Sequence, residues 1–171
     1  MRRKKNYMKQ KQLTINYTEY TDLNQLPDDE QQLIIKAVEA LNTSYSPYSQ
    51  FKVGAAIQLA SGNIVIGSNQ ENSVSPVCIC AERVAIFNAK VTYPDDIIEK
   101  IAITASTQNF EIENPVTPCG SCRQVMVEAV NRQKGKEFKI ILHSPNNRIL
   151  VFNSVNDMLP FNFNEKRLQN V

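Results

Sequence analysis

The chain has 171 residues, 42% of them hydrophobic and 21% charged, a balance that suits one folded domain and excludes the apolar-poor composition of a disordered chain. Its apolar runs, such as residues 53–57, are too short to cross a bilayer, and the charged start Met1-Arg2-Arg3-Lys4-Lys5 is followed by no apolar signal-peptide core. The net charge of +2 is uneven: Arg2, Arg3, Lys4, Lys5, Lys9 and Lys11 leave 13 basic against 17 acidic residues, a net of −4, in positions 13–171. So acidic a body lacks the face that tracks phosphates. Neither a nucleic-acid binder nor a membrane protein is expected, and the basic tail reads as a solvated terminus.

In chain order, residues 13–25 alternate weakly around Ile15, Tyr17 and Tyr20 and predict a short strand or extended arm. From Pro27, the acids Asp28, Asp29 and Glu30 open a helix whose apolar positions are Leu33, Ile34, Ala37, Val38 and Leu41, ending near Tyr45. Residues 52–60 and 63–67 are β-like runs joined by Ser61-Gly62, an antiparallel hairpin. Residues 80–91 predict a helix packed through Val84, Ala85, Phe87 and Ala89; residues 98–106 a buried strand; residues 107–118 a loop; residues 119–131 a helix; residues 138–143 and 148–152 two more strands. Helices interleaved with strands predict a three-layer α/β/α fold, a mixed sheet with helices on both faces. The expected division is a basic extension over residues 1–26 and a folded domain over residues 27–171.

Four cysteines without a secretory signal point to metal or catalysis rather than disulfides. Cys119-Gly120-Ser121-Cys122 has the i, i+3 spacing that puts two thiolates on one side of a helical first turn, though a lone C-x-x-C suits a redox pair or core packing as readily. Cys80 supplies a third thiolate at another helix start, and a catalytic zinc has three protein ligands with the fourth position left for water. Cys78 and Cys80 point to opposite sides of an extended segment, so Cys78 is assigned to packing. Glu82, one residue removed from Cys80, can lie beside a metal without ligating it. Cys80-x-Glu82…Pro118-Cys119-x-x-Cys122 is the all-cysteine form of the pattern by which zinc deaminases hold an activated water next to a proton-shuttling glutamate. His143, the chain's single histidine, falls in a predicted strand outside every motif and reads as structural.

The chain resembles the homotetrameric zinc-dependent cytidine deaminases that act on free nucleosides, over roughly residues 28–163. The segments that carry the likeness are Tyr45-Ser46-Pro47-Tyr48-Ser49-Gln50-Phe51-Lys52-Val53-Gly54-Ala55-Ala56, Gly67-Ser68-Asn69-Gln70-Glu71-Asn72, Cys80-Ala81-Glu82-Arg83, Pro118-Cys119-Gly120-Ser121-Cys122-Arg123-Gln124 and Leu159-Pro160-Phe161-Asn162-Phe163. The resemblance implies one Zn²⁺ per subunit on Cys80, Cys119 and Cys122, Glu82 as catalytic proton shuttle, and Arg83 as a donor to the sulfurs. It further implies substrate contacts from Phe51, Asn69, Glu71 and Ala81, with Phe163 arriving from a neighbouring subunit. The implied activity is hydrolysis of cytidine and 2′-deoxycytidine to the uridine products and ammonia, a pyrimidine salvage step in the cytoplasm. A blasticidin-type deaminase and a non-catalytic structural zinc module are the alternatives. Ser75 departs from the family, which carries a tyrosine there that contributes to the subunit interface near the ribose 5′ end.

Overall fold

The computed structural model describes residues 8–164, so Arg2 to Lys5 of the basic tail lie outside the described residues. Ten elements follow in order: β1 (Thr18–Tyr20), α1 (Asp28–Ala40), β2 (Phe51–Leu59), β3 (Ile64–Ser68), α2 (Ala81–Thr92), β4 (Ile98–Thr107), α3 (Gly120–Arg132), β5 (Lys139–His143), β6 (Ile149–Phe152) and α4 (Val155–Met158). The six strands form one sheet in the order β1-β6-β5-β4-β2-β3, in which β4 and β5 are parallel and every other pair is antiparallel. This is the mixed sheet expected, with the hairpin β2–β3 turning at residues 60–63.

Side chains alternate across the pleat, so each buried strand feeds two cores. Ile101 and Ile103 of β4, with Ile140 and Leu142 of β5, face Ala85, Ile86 and Ala89 of α2 and Met126 and Val130 of α3. Ala102 and Ile141 face the other way, against Leu33, Ile34 and Ala37 of α1. Small residues let the layers close up. A Cβ on Gly54 would stand 2.1 Å from the Ala37 carbonyl oxygen, and one on Gly67 would stand 2.5 Å from the Ala85 nitrogen. α1 and α2 therefore rest with their backbones against the hairpin.

Several expectations are corrected in detail. Of residues 13–25, only Thr18–Tyr20 form a strand, because Asp22 and Gln25 build a capping box that turns the chain into a short 3₁₀ helix. Phe87 is 45% exposed, and Ile86 takes the packing position expected of it. The helix of α1 stops at Ala40 and continues only as a 3₁₀ turn over Leu41–Thr43. α4, absent from the sequence reading, is a single turn capped by Ser154 Oγ, which accepts from the Asn156 N–H at 3.0 Å. Glu30 does more than complement a helix dipole: it is buried and paired with Lys139 and, at 3.8 Å, with Lys100. A carboxylate that far from water needs such partners.

Candidate active site

α2 and α3 start side by side on the same face of the sheet, and each begins with a cysteine. Cys80 is the residue preceding the first turn of α2 and Cys119 the one preceding that of α3, both with extended backbone. Neither thiol caps its own helix. The sulfurs turn towards each other instead, with Cys80 Sγ 4.0 Å from Cys119 Sγ and Cys119 Sγ 3.5 Å from Cys122 Sγ, which rises from the first turn of α3. All three lie within 4.8 Å of one another. Thiolates about 2.3 Å from a tetrahedral zinc stand ~3.8 Å apart, so this donor set fits the ion without rearrangement.

The electrostatics point the same way. Two helix N-termini aim their positive ends at the sulfurs. Hydrogen bonding from Cys122, then from Arg83 and Cys119, outweighs burial and brings the Cys80 thiol down to about 5. Cys122 is pushed up by its hydrogen bond to Cys80, by burial and by the charge of Glu82. Arg83, in the first turn of α2, donates from Nη2 to the Cys78 carbonyl at 3.3 Å and to Cys80 Sγ at 3.8 Å. Its Nε is buried without a partner, which a guanidinium tolerates best beside concentrated negative charge. Cys78 stays out of the cluster, as expected, but it is half-buried rather than packed away: its Sγ accepts from the Asn72 N–H at 3.2 Å.

Glu82 is 4% exposed, and burial raises its carboxyl above the ordinary value, helped by the negative charge on Cys80. It borders a cavity of about 300 Å³, together with Asn69, Glu71, Cys80, Cys119 and the apolar walls Val53 and Ile103. The resemblance named Asn69, Glu71, Glu82, Cys80, Cys119 and Cys122, and the fold brings all of these but the fully buried Cys122 to one cavity. It adds Val53, Cys78, Ile103, Val116 and Thr117, none of which was expected. Val116 and Thr117 immediately precede Pro118-Cys119, so their proximity to the cysteine motif was the available signal.

Asn69 and Glu71 sit just beyond β3 rather than within a strand, but Gln70 bridges Tyr45 and Ile79, which preserves the alternation that puts both on one side. Asn69 Oδ1 accepts from the Val53 N–H at 2.8 Å and from Ser44 Oγ at 2.6 Å, while its Nδ2 donates to the Phe51 carbonyl at 2.9 Å. Glu71 Oε2 accepts from the Tyr48 and Ser49 N–H groups at 2.8 and 3.3 Å. The hydrogen bonds from Ser49 and Tyr48 hold its carboxyl below the usual value, so it is ionised at neutral pH. These two side chains thus pin residues 44–53 against the cavity, and each keeps free hydrogen-bonding capacity, one amide hydrogen and one carboxylate oxygen.

Three residues expected at the substrate do not border the cavity within this subunit. Phe51 stacks on Phe110 with ring centroids 6.0 Å apart, Ala81 is fully buried at the start of α2, and Phe163 is 69% exposed. His143 is structural, as expected: buried in β5, it pairs through Nδ1 with Thr104 Oγ1 at 3.0 Å, and burial pushes its imidazole down.

Comparison with known proteins agrees with this geometry. Residues 27–134 match the family model for the cytidine and deoxycytidylate deaminase zinc-binding region. A cytidine deaminase of Halalkalibacterium halodurans is 43% identical over 100 residues, which span 58% of this chain and 71% of the relative. A probable cytidine deaminase of Dictyostelium discoideum is 31% identical over 81% of this chain and 88% of its own length. Among solved structures, cytidine deaminase from Burkholderia pseudomallei superposes with a TM-score of 0.67 at 35% identity, covering 77% of this chain and 97% of that one. The Mycobacterium tuberculosis enzyme gives 0.59 at 26% identity over 81% and 100%. The family model takes in all three clustered cysteines and Glu82, the fold agrees with solved members, and the chain therefore belongs to the cytidine deaminase family.

Proposed function

We propose that this chain hydrolyses cytidine and 2′-deoxycytidine as free nucleosides, releasing ammonia and the corresponding uridine product. One observation carries the reading: three sulfurs converge, and two of them, Cys80 and Cys119, border with the buried carboxylate of Glu82 a cavity that no Lys, Arg or His borders among the described residues. Cys80, Cys119 and Cys122 would hold the zinc, which supplies Lewis acidity that brings the pKa of a bound water towards 7. Glu82 serves the proton transfers. Raised by burial, its carboxyl can take the proton of the attacking water, deliver it to pyrimidine N3, and carry the next one to the departing amine. Water's oxygen ends on C4 and its hydrogens are shared between the ring and ammonia, so the step balances as a hydrolysis. Arg83 draws charge from Cys80, so that three thiolates do not quench the metal's acidity.

Charge selects the substrate. An ionised Glu71 and the carboxyl of Glu82 border the cavity, and a 5′-phosphate would meet them with no Lys, Arg or His of this subunit among the described residues lining it to offset the repulsion. In the assembly we infer, a homotetramer, Phe163 completes a neighbour's site; in support, Phe161 and Phe163 are 89% and 69% exposed within one subunit. Residues 27–171 would form the deaminase domain, and the salvage reaction would run in the cytoplasm, where four free thiols stay reduced. The test is a panel of cytidine, 2′-deoxycytidine and their 5′-monophosphates followed by ultraviolet absorbance, with metal content and light scattering measured alongside. About one zinc per chain and turnover of the nucleosides are expected. Preferential turnover of a monophosphate would overturn the assignment.

A further inference from the structure

The cysteine motif runs on into Arg123 and Gln124, which neither ligate metal nor border the cavity. Both reach instead to the C-terminal segment. Arg123 donates from Nε to the Pro118 carbonyl at 2.7 Å and from Nη1 to the Met158 carbonyl at 3.0 Å. Gln124 makes a two-way pair with one residue: its Nε2 donates to the Phe163 carbonyl at 2.8 Å, and its Oε1 accepts from the Phe163 N–H at 3.1 Å. A primary amide that both gives to and takes from a single backbone unit fixes the position and the rotation of that unit. Asn162 adds to the constraint by donating from Nδ2 to the Leu159 carbonyl and to Asn156 Oδ1, both at 3.0 Å. Phe163 is thereby held along α3 with its ring 69% exposed. Leaving such a ring in water is unfavourable, and among the described residues it stays 69% exposed.

We propose that Gln124 is a positioning residue, which presets Phe163 on the outer side of the metal-bearing helix for insertion beside a nucleoside bound in a second copy of this chain. The inference rests on the composite site described above. Because the arm is ordered before assembly, docking costs less backbone entropy, and the gain falls on substrate binding rather than on the chemical step. Gln124 is half-buried on a helix, where alanine is a good helix former, so Gln124→Ala should fold.

The experiment compares wild type with Gln124→Ala, Gln124→Glu, Phe163→Ala and Gln124→Ala/Phe163→Ala, each zinc-loaded and assembled. It reads KM and kcat for cytidine together with hydrogen exchange at the Phe163 amide. Phe163→Ala should raise KM about tenfold. Gln124→Ala should raise KM towards that value with kcat changed less than about twofold, the double variant should be no worse than Phe163→Ala, and exchange at the Phe163 amide should speed up. Gln124→Glu, which keeps an acceptor and loses the donor, should fall between. Additive KM effects, or an unchanged exchange rate in Gln124→Ala, would overturn the positioning role. An unchanged KM in Phe163→Ala would instead refute the composite site, and with it the purpose of the clamp, even where exchange shows that the clamp exists.

Discussion

Adding one methyl group at Gly67 should damage both stability and catalysis, because β3 at that point supports the helix that carries Cys80 and Glu82. A Cβ there would stand 2.5 Å from the Ala85 nitrogen, 2.7 Å from the Ala81 carbonyl oxygen and 3.0 Å from the Ala85 Cα. These are backbone atoms, which cannot rotate aside as a side chain would. To restore van der Waals contact α2 must retreat by about 1 Å. Overpacking of this kind costs ~1–3 kcal/mol, and a chain of this size loses about 2–4 °C in Tm per kcal/mol, so Gly67→Ala should melt roughly 2–12 °C lower. Because the displaced turn holds Cys80 and Glu82, a shift of ~1 Å should also lower kcat/KM by about a hundredfold. The matched control is Gly120→Ala, at the first position of α3 inside the cysteine motif, where a Cβ meets nothing within 4 Å. It should leave Tm unchanged or raise it, by up to about 1 kcal/mol of helix propensity. Scanning fluorimetry and ammonia release on zinc-loaded protein measure both. A Gly67→Ala enzyme with wild-type Tm and turnover would show that α2 is not seated on β3 as described.

Glu82→Gln should retain zinc and fold while losing several orders of magnitude in kcat, since each proton transfer is worth ~10²–10⁴-fold; retention of a tenth of wild-type turnover would remove Glu82 from the shuttle. Burial holds the His143 imidazole below its unfolded value. Its contribution is therefore intact above about pH 6.5 and shrinks as acid protonates the unfolded chain first, at no more than ~1.4 kcal/mol per pH unit. Denaturant melts of wild type and His143→Gln between pH 7.5 and 5 should show that slope weakened in the variant, and parallel profiles would contradict the reading. Deleting residues 1–11 should change cytidine kinetics less than about twofold, because Met8 is 98% exposed and Tyr17, which stacks on Phe152 at 5.5 Å, is retained. Light scattering that showed dissociation together with lost activity would make the tail structural.

Most of the core elements were legible because their signals are local. Asp28 to Glu30 mark the start of α1, Ser61-Gly62 marks the hairpin, and the runs at residues 98–106 and 138–143 have the apolar continuity of strands buried on both faces. The metal centre was legible because three thiols need few other constraints to converge. Phe87 was misassigned because helical periodicity tolerates a shift of one position, and Ile86 and Phe87 are equally apolar. The salt bridges of Glu30 were hidden because Lys139 lies 109 residues away in sequence, and no local pattern reports a tertiary pair. For the same reason Asn69 and Glu71 read as substrate contacts, whereas the bonds from Val53, Tyr48 and Ser49 that occupy part of each become visible only once β2 lies beside β3.

Cys80 and Cys119 are 39 positions apart, and the segment between them includes all of α2, all of β4 and the loop that leads into α3. An ion gripping both sulfurs turns that stretch into a closed ring, tied at the two points where helices begin. Closing a ring of this length by a cross-link removes chain entropy worth ~4 kcal/mol from the unfolded state. The four cysteines form no disulfide, and an ion on the three clustered sulfurs would supply the topological effect of one by bonds that remain reversible. Loss of the metal would then open a ring that contains β4, one of the two central strands of the sheet, as well as remove a reagent from the cavity. A metal-starved cell would meet this chain first as a folding problem.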